Sequence, residues 1–152
     1  MRLLTSNAPI AWLILLSLFS LLAFSESGAK TGRRFLKPER DLPFSNGVLV
    51  GDTLYLAGHI GLEPKTQKPP ASAEEEARLV LEQFKVTLAR ADMTMEDLVY
   101  VQVFCPDVSL WETFNKVYRT HFGKDFPARA FIGSGPLLYG ARFEVQGIAV
   151  RR

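Results

Sequence analysis

The chain of 152 residues contains one cysteine and two histidines, and each scarcity excludes a class of chemistry. Cys105 alone cannot close an intrachain disulfide, so the fold must rest on a core. It ends the apolar run Val99-Tyr100-Val101-Gln102-Val103-Phe104-Cys105. No histidine or basic residue lies near it in sequence to lower its pKa, so it reads as a buried, inert thiol. His59 and His121 are far apart and have no ligand-spaced partners, so no metal is expected. An excess of charge is also missing, with 18 basic against 16 acidic side chains. The surplus sits in Lys30, Arg33 and Arg34 and in Arg151 and Arg152, beside chain ends, where a solvated tail is the default. No nucleic-acid partner is expected. No phosphate-cradling loop is present, since Gly133-Ser134-Gly135-Pro136 lacks a following lysine and helix. Ser45, His59 and Asp52 supply the residue types of a hydrolytic triad but no nucleophile-elbow pattern.

One long apolar run is present. Ile10 to Phe24 carries no charge, follows Arg2, and is succeeded by the small and polar residues Ser25-Glu26-Ser27-Gly28-Ala29. This is the arrangement of a signal peptide over residues 1–25, with cleavage after Ser25 or Ala29. The run is shorter than the roughly 20 residues that span a bilayer comfortably. Export to a periplasm or the medium is the expectation, with a membrane anchored form through an uncleaved leader as the alternative. No cysteine near the cut allows a lipoprotein. The remaining chain, about 125 residues, fits one domain with a real core. Losing residues 1–25 removes only Arg2, leaving 17 basic against 16 acidic side chains.

Residues 26–41 are basic and polar and read as a linker or irregular arm. Val48-Leu49-Val50, Gly51-Asp52 and Thr53 to Gly58 read as a hairpin with a two-residue turn. Gly58 and Gly61, flanking His59-Ile60, mark a place where backbone bends or approaches something closely. Ser72 with Glu75 forms a capping-box pattern ahead of a helix whose face is Ala77, Val80, Leu81, Phe84 and Leu88. Thr94 with Asp97 caps a short turn before a strand over 99–105. Ser109 with Glu112 repeats the box ahead of a helix bearing Trp111, Phe114 and Tyr118, with Gly123 placed to stop it. Strands near 128–133 and 142–150 close the chain. The order β-β-α-β-α-β-β, with room for a further short strand near the start, gives an α+β fold. Both helices lie on one face of a mostly antiparallel or mixed sheet. The other face is expected to carry Val101, Val103, Phe131, Phe143 and Val145 and to need a partner subunit as cover.

The chemistry-bearing residues are concentrated in the last quarter. Arg129 opens one apolar strand and Glu144 another, and in a strand each side chain has a defined face. A guanidinium that forks onto a carboxylate, with a second carboxylate to manage protons, is a minimal site for a small anionic substrate. A structural ion pair, or two solvated strand ends, is the other reading.

Several motifs occur together in one order: Gly47-Val48-Leu49-Val50-Gly51-Asp52, Ala57-Gly58-His59-Ile60-Gly61, Pro127-Ala128-Arg129, Glu144 fifteen positions later, and Ile148-Ala149-Val150. In these the chain resembles the RidA/YjgF family of reactive intermediate (enamine/imine) deaminases, also described as L-PSP endoribonucleases. The resemblance covers about residues 40–152, with the RidA-like domain placed at 42–152. It implies a chorismate-mutase-like sheet with two helices on one face, a homotrimer with clefts between subunits, and cofactor-free hydrolysis of 2-imino acids to 2-keto acids and ammonia. By the same resemblance Arg129 grips the substrate carboxylate and Glu144 handles water and proton. Asn115 and Gly58 would line the same cleft. Phe44 stands where characterised members have tyrosine, Phe131 where they have cysteine, and Gln146 where a second acid is frequent. A trimer that binds small carboxylates without turnover is the alternative, and ribonuclease activity a distant third.

Overall fold

The computed structural model describes residues 32–152, so the leader and both cleavage positions lie outside the described residues. A six-stranded sheet runs in the order β1-β2-β3-β6-β4-β5. Its strands are β1 (Arg33–Leu36), β2 (Gly47–Val50), β3 (Thr53–Ile60), β4 (Leu98–Cys105), β5 (Ala128–Gly133) and β6 (Glu144–Val150). Helix α1 (Ala73–Ala89) follows β3, and α2 (Trp111–Tyr118) lies between β4 and β5. Every pairing is antiparallel except β4 with β5. That parallel pair needs a crossover, and α2 supplies it. Four residues of the segment that reads as an irregular arm form β1, an edge strand on β2.

Local chemistry explains the joints. Gly51 opens the β2–β3 turn at φ 58°, a left-handed conformation that glycine adopts without strain. Ser72 Oγ accepts the Glu75 N–H at 3.3 Å, a cap of the kind that stabilises by about 1 kcal/mol. Glu74, Glu75 and Glu76 crowd the first turn, where the helix dipole favours them. The Glu75 carboxylate pairs with Arg78 rather than completing the box. Asp97 accepts from the backbone N–H of Thr94 at 2.7 Å and from its hydroxyl at 3.1 Å. The Ser109–Glu112 box does not form, because Asp107 accepts the Ser109 N–H instead, ahead of a short 3-10 turn. Arg151 and Arg152 are not loose: the first donates to Ala91 O, and the second pairs with Glu96 and Asp97.

Both helices cover one face of the sheet, and the phase of the strands corrects the sequence expectation. Val101, Val103, Phe143 and Val145 are fully buried beneath the helices, and Phe131 packs on the same core. The open face carries Val48, Val50, Tyr55, Tyr100, Phe104, Ile132, Ile148 and Val150, which are half-buried or exposed. β4 is apolar in both phases, and a register shift between Leu98 and Tyr100 moves the alternation by one residue. An apolar uncovered face is present, but other residues make it. Gln102 and Gln146 bridge it at 3.0 Å.

Candidate active site

The β4–α2–β5 crossover brings Arg129, at the start of β5, under α2. Its register partner on β4 is Val101, so its side chain faces the helices. There the guanidinium donates to Asn115 Oδ1 at 2.6 Å and lies 4.5 Å above the centre of the Tyr118 ring. Asn115 and Tyr118 are buried, one helical turn apart, so α2 holds the cation by an amide oxygen and a π face. Burial pulls the Arg129 pKa below its ordinary value, with Tyr118 opposing and Arg119 adding to the fall. Arginine nonetheless keeps its charge near neutrality. Tyr118 and Arg119 are the charged or titratable groups that shift it. Its hydrogen bond goes to Asn115 rather than to a carboxylate.

Tyr118 also anchors an aromatic group with Phe114, Phe122 and Phe126. Its hydroxyl is buried without a hydrogen-bond partner among the described residues. Burial pushes its pKa up to about 12, with Arg129 opposing. Sequence reasoning assigns Tyr118 only to the core; its spacing from Asn115 was the available signal for a second role. Phe131, two residues beyond Arg129 on the same face, meets Phe114 edge-on at 5.8 Å. It packs on the hydrophobic core. Phe44 lies on the bend before β2 and is 53% exposed.

Glu144 is elsewhere. It pairs with Phe104 on β4 and Ile60 on β3. Phe104 lies three residues from Val101, an odd offset that puts Glu144 on the opposite, open face from Arg129. Within one chain the two residues do not meet. Gly58 sits beneath Glu144, and a Cβ there would overlap its carboxylate. A register shift in β3 between Leu56 and His59 turns His59 to the helix side. His59 Nε2 lies 2.8 Å from Thr87 Oγ1, and its ring meets Phe84. Its burial holds the imidazole pKa below the usual value, against hydrogen bonds from Gly58 and Ala57. The triad reading fails here, because Asp52 lies in the β2–β3 turn and His59 near the opposite end of β3, roughly 20 Å away at strand spacing.

A third element, missed in the sequence, adjoins Glu144. The wholly buried Glu76 carboxylate accepts from the Arg142 guanidinium and from two backbone N–H groups, those of Arg142 at 2.5 Å and Phe143 at 3.1 Å. Removing one member of such a pair typically costs about 3–5 kcal/mol. The sequence separation of 66 between the partners hides the pair from pattern reading. Cys105 is buried, donates to Asp107 O at 3.0 Å and has its pKa raised by burial, as an inert thiol would. Among the described residues no acidic, cysteine or histidine cluster could hold a metal ion.

The fold is a six-stranded sheet with two helices on one face, and comparison with known proteins gives its family. The sequence profile of the Endoribonuclease L-PSP family matches residues 36–151. The 2-iminobutanoate/2-iminopropanoate deaminase of Bos taurus is 34% identical over 110 residues, covering 72% of this chain and 80% of that protein. The crystal structure of the E. coli YjgF gene product superposes with a TM-score of 0.70 at 31% identity, covering 76% of this chain and 93% of the other. That of E. coli TdcF with bound serine does so with a TM-score of 0.70 at 30% identity and the same coverage. The chain belongs to the Endoribonuclease L-PSP family, the group that includes the RidA/YjgF proteins.

Proposed function

We propose that this protein hydrolyses small 2-imino or enamine acids to 2-keto acids and ammonia, without a cofactor, as a homotrimer whose sites lie between subunits. The observation that carries the reading is Arg129: a cation held by Asn115 and Tyr118, bonded to an amide oxygen rather than to a carboxylate. Such a guanidinium suits a substrate carboxylate, gripped by two parallel hydrogen bonds. The names of the relatives supply the reaction class. The opposite-face placement of Arg129 and Glu144 favours a site completed by a neighbouring subunit, and the apolar open face offers the surface for it.

In the proposed chemistry, Arg129 fixes the carboxylate and presents C2 of the imine. Glu144 of a neighbouring subunit takes a proton from water as the oxygen bonds to C2. The imine nitrogen takes a proton from solvent, giving a tetrahedral carbinolamine. Glu144 then returns its own proton to the nitrogen as the C–N bond breaks. The C2 hydroxyl gives its proton back to solvent as the carbonyl forms, and ammonia leaves, so that no net proton is consumed. Phe44 offers no hydroxyl to the substrate, so Glu144 carries the proton work without tyrosine assistance.

An amino acid oxidase generating imine beside the purified protein tests this. Keto acid should form faster with the wild type than with Glu144→Gln. A Glu144→Gln protein as active as wild type would sink the assignment. Binding of pyruvate without any turnover would favour the carboxylate-binding trimer. We further propose that the leader directs export. Intact mass of protein recovered from the envelope or medium should begin at Glu26 or Lys30. Full-length protein in the cytoplasm would refute export, and a full-length membrane-bound form would favour the anchor.

A further inference from the structure

The approach to the strand that carries Glu144 is held by a single side chain. Glu76 Oε1 accepts the consecutive N–H groups of Arg142 and Phe143, and Oε2 accepts the Arg142 guanidinium. That guanidinium also donates to Pro70 O at 3.0 Å and Ala71 O at 2.9 Å. At the same place the backbone carbonyl of Glu76 abuts Gly61, where a Cβ would overlap it. Glu76 therefore touches the residue just past β3 and the two residues just before Glu144. Ile60, next to Gly61, is the register partner of Glu144. Phe143 is locked from the other side by its fully buried ring, packed on Phe114 at 5.0 Å.

Stability alone is a weak account of this carboxylate. A buried ion pair can often be replaced by apolar residues without loss, and the surrounding core of Ala77, Val80 and Phe143 is apolar. What an ionised acceptor supplies, and an apolar residue cannot, is direction. Two successive N–H groups aimed at one oxygen fix the peptide planes leading into Glu144.

We propose that Glu76 is a positioning residue, which through the N–H groups of Arg142 and Phe143 holds the Glu144 carboxylate over Gly58 and governs the chemical step rather than the grip on substrate. This rests on the reading of Glu144 as the proton-handling group. Misplacement of a reacting group by about 1 Å can cost on the order of a hundredfold in rate, so small errors at the start of β6 are enough to matter.

The test uses Glu76→Gln in the whole protein. Its amide oxygen can still accept the two N–H groups, but its NH2 faces the Arg142 guanidinium, donor against donor. The expected result is a folded protein that binds pyruvate within about threefold of wild type. Its kcat should fall roughly tenfold or more with KM little changed, since a group misplaced only for the chemical step is lost from kcat. Its crystal structure should show the Glu144 carboxylate displaced from Gly58. Adding Arg142→Gln, which restores an acceptor opposite the new amide, should recover most of the rate. Should Glu76→Gln fail to fold, Glu76→Asp, whose shorter side chain cannot reach both N–H groups, carries both measurements, with a displaced Glu144 and a fallen kcat expected. An unmoved Glu144, an unchanged kcat, or a KM that rises in step with the loss would overturn the proposal. Wild-type protein without turnover would overturn the deaminase reading and the kinetic half of this proposal together. An unmoved Glu144 in a protein that does turn over would overturn this proposal alone.

Discussion

Gly58 and Glu144 stand so close across β3 and β6 that a side chain at position 58 fits only if the Glu144 carboxylate moves aside. The obstructing atom is the far end of a flexible glutamate, so an added methyl displaces the carboxylate rather than the backbone. Gly58→Ala should fold with a small loss of thermal stability and bind pyruvate normally. Its turnover should fall by roughly 100-fold, the scale of a mispositioned reacting group. Steady-state kinetics of the coupled imine assay, with calorimetry on pyruvate, checks this. Loss of binding instead of turnover would place Glu144 on the carboxylate side of the site.

Arg129 and Asn115 give the complementary pattern. Arg129→Ala should abolish measurable pyruvate binding, since hydrogen bonds to charged groups are worth about 1.5–3 kcal/mol each. Arg129→Lys should recover little of it, because a point charge cannot reproduce the fork. Asn115→Ala releases one side of the guanidinium and should raise KM several-fold while changing kcat less. Titration calorimetry and KM values decide between these outcomes and a purely structural Arg129.

The open sheet face carries the third prediction. Ile148→Asp puts a charge in the middle of its apolar surface and leaves the helix-covered core untouched. Light scattering should turn from about three monomer masses for wild type to one, with circular dichroism unchanged and turnover lost, as burial of an unpaired charge at an interface dictates. A trimer that persists with full activity would exclude this face as the assembly surface.

Acid sensitivity follows from the two histidines. Burial holds His59 below its ordinary pKa, and burial with Lys85 and Arg78 does the same for His121, against Glu82. The unfolded chain therefore takes up protons near pH 6.5 that the folded chain does not. Stability should fall as pH drops through about 6.5 and level off once the folded histidines are also protonated. Melting temperatures between about pH 7.5 and 5.5 should show the decline, and His59→Gln, which keeps a group able to bond Thr87, should reduce it, leaving the part due to His121.

The sequence carries the elements well because each has a local cause. Gly51 in its turn, Ser72 at its helix and Asp97 on Thr94 act within a few residues. Its limits are equally physical. Val99-Tyr100-Val101-Gln102-Val103-Phe104 is apolar on both phases, so which set meets the helices depends on a register shift that the pattern does not contain. Asp107 takes the Ser109 N–H because it is nearer than Glu112 to the turn that forms. Arg129 and Glu144 stand out by charge, but the sheet face of each emerges only from the pairing with Val101 and Phe104. Glu76 looks like one of three surface glutamates until Arg142 folds onto it.

The opposite-face placement of Arg129 and Glu144 also governs how defects combine. In the proposed trimer, each subunit would lend its arginine to one site and its glutamate to the next. A subunit carrying Arg129→Ala would still offer a sound Glu144, and one carrying Glu144→Gln a sound Arg129. Each variant alone should be strongly impaired, yet equal mixtures, dissociated and reassembled, should regain about a quarter of their sites by random pairing in a cyclic trimer. Two broken proteins would then complement each other in a test tube, which no site contained within one chain could do.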